Sequence, residues 1–396
     1  MMRALIGALG LLALPLGLLG QTQPAQPAQP AQPMAVLKPA EQRDSFFKDG
    51  KVVEFKIDLT KEATESLRRE PRKYVKATLT EGSLQFKDVG MHLKGAAGSS
   101  RPIDDKPGIT LNMDKFADDQ LYRGMDKFHL ANSVQDPSYL SELICGELLR
   151  AAGVPASRIG HAVVTINGKV RGLYYVKEGY DRAFLQKNFG NGDGNFYDGG
   201  FLRDIDQPLE LVHTKKDVAD RGDLKALVTA CREANKEKRF QQLEKLLELD
   251  KFISYMVLEA IMWDWDGYPF KCNNYRVYHE PTKDKITFIP SGMDQMFGDV
   301  NGPVMPDFGG MVARGLMETP EGKKRYIARM AEIMKTVYKT DTIVKRIDEL
   351  EKTLQPILAK IDAGAGADYK NQAARLRDAV KQREKVVNQQ LKTLLK

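Results

Sequence analysis

The 396-residue sequence predicts an α+β fold with an antiparallel N-terminal sheet and a largely helical C-terminal part. Apolar and polar residues alternate with period two over 53–57, and strand-like runs recur up to Leu93. The segment order then runs helix, hairpin, helices, hairpin, and from Thr319 to the end the spacing is almost wholly helical. Hydrophobic residues at 42% and charged residues at 29% suffice for a sizeable core, and they exclude a collagen, a wholly disordered chain and a disulfide-stapled miniprotein.

In chain order, Met1-Met2-Arg3 and an apolar run over 4–19 read as a signal peptide occupying 1–20, with the mature chain starting close to Gln21. The run is shorter than the ~20 apolar residues a spanning helix prefers, so an uncleaved anchor is the alternative rather than the first reading. The repeated Ala-Gln-Pro up to Pro33 reads as the start of an extended tether assigned to 21–50. Folding is expected to begin near Lys51, with a strand over 53–57, a short helix over 60–69 and strands over 74–80, 84–86 and 89–93. Asp136 and Pro137 read as the N-cap and first position of a helix in which Leu140, Leu143, Ile144, Leu148 and Ala151 keep helical spacing until Gly153. Strands over 162–166 and 172–177 flank Asn167-Gly168, a hairpin signal. A charged helical stretch over 223–250 and an apolar helix over 252–262 lead into Trp263-Asp264-Trp265-Asp266. A second hairpin pairs 274–279 with 286–289, and the alanine–glycine run 363–367 reads as a flexible break in the C-terminal helices. The body is assigned to 51–312 and a helical segment packed on it to 313–396.

Sixty basic against 53 acidic side chains give a formal charge of +7. Residues 320–396 hold 18 basic and 10 acidic groups, so the excess sits in the last helices and the rest is close to neutral. Nucleic-acid binders carry a basic stripe across the fold, so this distribution argues against nucleic acid as a partner. The three cysteines (Cys145, Cys231, Cys272) cannot all pair and share no metal-ligand spacing; five scattered histidines make no zinc site.

Three constellations bear on chemistry. Lys94-Gly95-Ala96-Ala97-Gly98-Ser99-Ser100-Arg101 offers small residues through which backbone amides approach an anion, with hydroxyls and Arg101 as further donors. It lacks the P-loop and dinucleotide spacings, and taken alone it is an ordinary hairpin tip. Lys106, at a strand start, reads by itself as solvated. The helix after Pro137 carries Glu142 and Glu147, and a carboxylate on a packed helix face wants a cation. The most specific run is Asp264-Trp265-Asp266 through Asn273-Asn274, followed some twenty residues later by Ser291-Gly292-Met293-Asp294. Phosphoryl-transfer sites use this inventory: one Asp orients a hydroxyl, while an Asn and a second Asp hold Mg²⁺. The protein-kinase motif spaces its Asp and Asn five apart; here Asp266 to Asn273 or Asn274 is seven or eight, so the match is one of logic.

Read together and in order, HLKGAAGSSR with KPGITLNM, LANSVQDPSYLSELICGELLRAAGVPA, INGKVRGLYYVKEGYDRAFL, WDWDGYPFKCNNYRVY and IPSGMDQMFG resemble the spore coat protein H (CotH) kinase family over 89–298. The resemblance implies a divergent protein-kinase-like fold, ATP with Mg²⁺ or Mn²⁺, and phosphorylation of Ser or Thr on an exported or surface protein. Carried over, Asp266 resembles the catalytic base, Asp294 the metal-binding Asp, and Asn274 or Asn273 the second metal ligand. Lys106 looks like the phosphate-contacting lysine, paired with a carboxylate of the following helix, with Lys94 as its substitute and Ser99 in the nucleotide-facing segment. Glu142 matches the family's helix Glu better than Glu147, and Glu178 lies where an adenine-contacting linker belongs. Asp264 departs from the Asn of many members.

Two rival readings come with these residues. Asp264-Trp265-Asp266 is also a D-x-D, as glycosyltransferases use to hold a metal and a nucleotide sugar. A catalytically inert surface or coat-assembly scaffold is the other, with the basic C-terminal helices as its contact surface. The signal peptide implies a secreted, periplasmic or envelope location with no stable membrane span after cleavage.

Overall fold

Along β1 (Val53–Asp58) buried and exposed residues alternate without a break, and Phe55 and Ile57 are fully enclosed. Around it come α1 (Pro39–Asp49), α2 (Lys61–Arg69), β2 (Val75–Glu81), β3 (Leu84–Lys94), β4 (Gly108–Asn112), β5 (Lys127–Ala131), α3 (Ser141–Ala151), β6 (Ile159–Ile166) and β7 (Lys169–Glu178). The computed structural model describes residues 37–213 and 221–396; the expected signal peptide and Ala-Gln-Pro repeats lie outside the described residues.

The seven strands close into a barrel in the order β1-β2-β3-β4-β5-β7-β6. The sheet is thus not purely antiparallel, because β1 and β6 pair in parallel, Phe55 opposite Val164. A parallel pair needs a long crossover, and the hundred residues between these strands supply it. Closure leaves the barrel no free strand edge and wraps an apolar interior in which Tyr122 meets Phe55 and Phe86 edge to face and Phe128 at a tilt. The hairpin at Asn167-Gly168 forms as expected, with both residues at positive φ and Ile166 opposite Lys169.

Three expectations need correction. Folding starts at α1 rather than near Lys51: Arg43 is buried, donates to the Gly124 carbonyl and forms an ion pair with Asp181 at 2.6 Å. The helix after Pro137 begins four residues later, at Ser141. Asp136 still serves it, accepting from the Ser138 and Ser141 N–H groups at 3.1 and 2.9 Å, but Tyr139 at φ 54° forces a turn in between. The run 363–367 is helical, not flexible, because Asp362 accepts from the Ala365 N–H and starts the last helix there.

Beyond the barrel lie α4 (Arg182–Phe189), β8 (Asn195–Asp198), β9 (Glu210–His213), α5 (Gly222–Arg232), α6 (Lys236–Leu246), α7 (Leu249–Met262), α8 (Tyr268–Lys271), β10 (Tyr275–Glu280), β11 (Lys285–Pro290), α9 (Met311–Met317), α10 (Pro320–Thr336), α11 (Thr340–Ile361) and α12 (Ala363–Leu394). The expected second hairpin is β10–β11, but it belongs to a four-stranded sheet, β11-β10-β8-β9. Helix α7 is apolar almost all round and buries twelve of its fourteen residues, the signature of a central core helix. Among the described residues no helix is long and apolar enough to cross a membrane.

Candidate active site

A polar cleft of about 470 Å³ is lined both by the barrel and by the second sheet. The barrel contributes Lys94 at the end of β3, the following small-residue segment with Ser99, and Lys177 near the end of β7. Helix α3 contributes Glu142. The loop after α7 brings Asp266, Asn273 and Asn274, and the loop after β11 brings Ser291, Gly292 and Asp294.

Lys177 and Glu142 form a buried ion pair, at 5% and 6% side-chain exposure. Burial alone pushes the Glu142 carboxyl up, but Lys177, Lys94 and the Gly292 N–H outweigh it and hold it below its ordinary value. Burial likewise pulls Lys177 down, and Glu142 more than restores it. The pair is wired to the second loop: Lys177 donates to the Ser291 hydroxyl at 3.1 Å, and the Gly292 N–H donates to Glu142 at 3.1 Å. Asp294 follows two residues on. Its carboxyl is pushed up to about 7 by burial and by the negative charges of Glu142 and Asp136.

Across the cleft Asp266 accepts from the side-chain amides of Asn273 at 3.1 Å and Asn274 at 2.9 Å. Asn274 also donates to the Gly292 carbonyl at 3.2 Å, which ties the Asp266 loop to the Asp294 loop. Beneath them Asp264 is 1% exposed, and neither carboxylate oxygen has a hydrogen-bond partner among the described residues. Burial, then Asp294 and Asp266, push it well above the usual carboxylate range. The D-x-D is therefore not one chelating surface: Asp266 lines the cleft and Asp264 lies under it.

Lys94, Ser99, Glu142, Asp266, Asn273, Asn274 and Asp294 are thus brought together, and two expected members, Lys106 and Glu178, are not. Lys106 pairs with neither helix carboxylate. Its ammonium donates to the Tyr139 hydroxyl at 2.6 Å and sits over the Tyr139 and Tyr174 rings, 4.8 and 5.3 Å from their centres. Glu147 is turned to Arg346 of α11, at 2.9 Å. Glu178 belongs to the barrel rim: its carboxylate pairs with Arg158 at 2.5 Å, and its N–H and C=O are taken by the Arg158 carbonyl and the Ser157 hydroxyl. Lys177 is the residue the sequence reading missed. Its signal was a single lysine at the end of the apolar run Leu173-Tyr174-Tyr175-Val176, where a charge has to find a buried partner.

Lys94 faces Lys177 in the same cleft, and burial, with Lys177 adding to it, brings its pKa down to about 8. In the unfolded chain the group titrates near 10.4. The folded protein therefore binds fewer protons than the unfolded one between those values, and stability rises with pH across that window. The stability advantage of Lys94→Met over the parent is expected to be largest below pH 8 and to shrink as pH rises towards 10.5. Denaturant midpoints measured at pH 7, 8, 9 and 10 check this; a constant difference would contradict it.

The family model described as CotH kinase protein matches residues 93–394. Among curated proteins, Invasin CotH3 of Rhizopus delemar is 24% identical over 263 residues, covering 58% of this chain and 44% of the invasin. The inner spore coat protein H of Bacillus subtilis is 21% identical over 263 residues, covering 61% of this chain and 72% of that protein. The chain thus spans less than half the length of the invasin. Among solved structures, the Helicobacter pylori proinflammatory kinase CtkA is matched over 74% of this chain and 96% of that one at 9% identity, with a TM-score of 0.31.

Proposed function

Because the chain belongs to the CotH kinase protein family, we propose that it is an ATP- and metal-dependent protein kinase of divergent kinase-like fold, acting on Ser or Thr hydroxyls of exported or surface proteins. The observation that carries this reading is the buried Lys177–Glu142 pair, bonded through Ser291 and Gly292 to the loop of Asp294 and facing Asp266 with its two amides. That is the division of labour phosphoryl transfer asks for: cations to hold phosphate oxygens, an acid for the metal, another for the acceptor hydroxyl.

In this reading Lys177 and Lys94 hold the triphosphate, with Glu142 fixing the Lys177 ammonium. Asp294 and the amide oxygen of Asn274 would hold Mg²⁺ or Mn²⁺. The donor set suits a hard cation: the oxygens are the right kind, and Asp294 sits among carboxylates whose mutual repulsion a cation relieves. Among the described residues no three His, Cys, Asp or Glu side chains form a ready-made metal cage, which fits a site completed by phosphate oxygens. When bound, the metal offsets phosphate charge. Asp266 accepts the proton of the acceptor hydroxyl as its oxygen bonds to the γ-phosphorus and the bond to the β-phosphate oxygen breaks, leaving ADP. The names of the relatives, a spore coat protein and an invasin, support a place at a coat or surface for this chain also.

Mass spectrometry of the purified protein after incubation with ATP and Mn²⁺ tests the proposal. Phosphoserine or phosphothreonine on the protein itself or on an added acceptor is the expected result. Absence of both transfer and ATP binding would instead favour a catalytically inert surface scaffold. Transfer from a sugar nucleotide alone would favour the glycosyltransferase reading.

A further inference from the structure

One side chain of the last helix is buried between the end of α7, from which the Asp266 loop departs, and the chain that continues from Asp294. Arg383 of α12 is 0% exposed. Its guanidinium is spent on backbone oxygens. Nη2 and Nε donate to the Ala260 and Ile261 carbonyls at 2.7 and 2.8 Å, and Nη1 donates to the Val300 and Gly302 carbonyls at 3.0 and 2.6 Å.

The first two oxygens matter because a helix leaves its last four carbonyls without intrahelical partners. At the end of α7 the Glu259 carbonyl is met by the Trp263 and Asp264 N–H groups. The Met262 carbonyl accepts from the Phe297 N–H, three residues past Asp294, at 2.7 Å. Arg383 takes the two that remain, at the helix end where a cation is favoured. Its other contacts lie on the chain that continues from Asp294. Gln390, two turns further along α12, reinforces them: its amide oxygen accepts from the Val304 N–H at 2.8 Å and its amide nitrogen donates to the Gly302 carbonyl at 3.3 Å. Trp263, the first residue of the Asp266 loop, is clamped in the same place. The Arg383 guanidinium lies 5.7 Å from its ring centre, and a Cβ on Gly302 would stand 2.4 Å from the ring, so only glycine fits there.

We propose that Arg383 is a positioning residue for phosphotransfer, setting the spacing between the Asp266 loop and the Asp294 loop from the C-terminal helix, so that the site is incomplete without α12. This rests on the kinase reading for its effect on transfer, but not for its effect on the loops. A displacement of about 1 Å between groups that must act together costs on the order of a hundredfold in rate.

The protein carries two tryptophans, Trp263 and Trp265, and both are in the Asp266 loop, so intrinsic fluorescence reads that loop directly. In Arg383→Ala, with folding verified by circular dichroism, transfer at saturating ATP is expected to fall on the order of a hundredfold with a smaller change in ATP affinity. Acrylamide quenching of the tryptophans should rise. Guanidinium chloride at millimolar concentration should restore part of both, while ammonium should not, a rescue that loss of stability alone does not produce. Gln390→Ala, a milder cut of the same tie, should show the same pattern at about tenfold. Quenching and transfer both within twofold of the parent in folded Arg383→Ala would overturn the proposal; should that variant fail to fold, the same result in Gln390→Ala would overturn it. If the parent transfers no phosphate, the kinase reading fails, and quenching with guanidinium rescue still decides the role of Arg383.

Discussion

Asp266→Ala is expected to bind ATP with Mn²⁺ almost as the parent does while phosphotransfer falls a hundredfold or more, the usual scale for losing a positioned acid–base group. The expectation follows from where Asp266 stands. It is held by two amide donors and, among the described residues, forms no ion pair, so its removal takes away an acceptor for the hydroxyl proton without stripping a cation of its partner. Asp294→Ala should behave in the opposite way, weakening metal-dependent ATP binding itself, with Asn274→Ala a milder copy because a neutral amide carries less of the charge. Titration calorimetry beside a transfer assay on the three variants separates these roles. Loss of ATP binding in Asp266→Ala with binding intact in Asp294→Ala would invert the assignment.

The second large effect is on stability. Lys177→Met leaves Glu142 buried without its cation, which costs about 3–5 kcal/mol when one partner of an enclosed pair is removed. Lys177→Met with Glu142→Leu removes both charges and should recover most of that loss, since a buried pair is often no more stabilising than well-packed apolar groups. Transfer should stay lost in both proteins. Urea denaturation of the parent, the single and the double variant is the measurement; a single variant as stable as the parent would show that Glu142 has found another counterion.

How far the sequence was legible depends on the kind of signal each element carried. Asp266, Asn273, Asn274 and Asp294 are brought to one cleft because a loop flanked by an apolar helix and a hairpin has few places to go. The lysine was misread for a physical reason. Lys106 and Lys177 both sit at strand ends, and nothing in one dimension says which strand ends against α3. Only the register of β7, with Tyr175 opposite His161 and Lys177 opposite Ile159, turns Lys177 towards Glu142 and leaves Lys106 among tyrosines. Helix starts were misplaced where a capping Asp reached further than one residue, as Asp136 does to Ser141. Barrel closure could not be read at all, because the β1–β6 pairing joins segments a hundred residues apart with no local mark of it. The role of Arg383 was equally hidden, since a basic residue in a basic helix looks solvated until its backbone partners are seen.

The closed barrel has a mechanical consequence. A sheet with free edges can flex by splaying its strands, but a continuous cylinder of hydrogen bonds has no seam along which to yield. The backbone leaves the barrel through the short link between Glu178 at the end of β7 and Asp181 at the cap of α4, while Ile159, Leu173 and Tyr175 of its strands share a core with α3 and α7. Arg43 is fastened to both sides of that link, to the Gly124 carbonyl in the barrel and to Asp181 beyond it. The first helix of the described chain therefore pins the place where the backbone leaves the cylinder, so a load on the barrel wall passes to the rest of the chain through Arg43 as well as through the link itself.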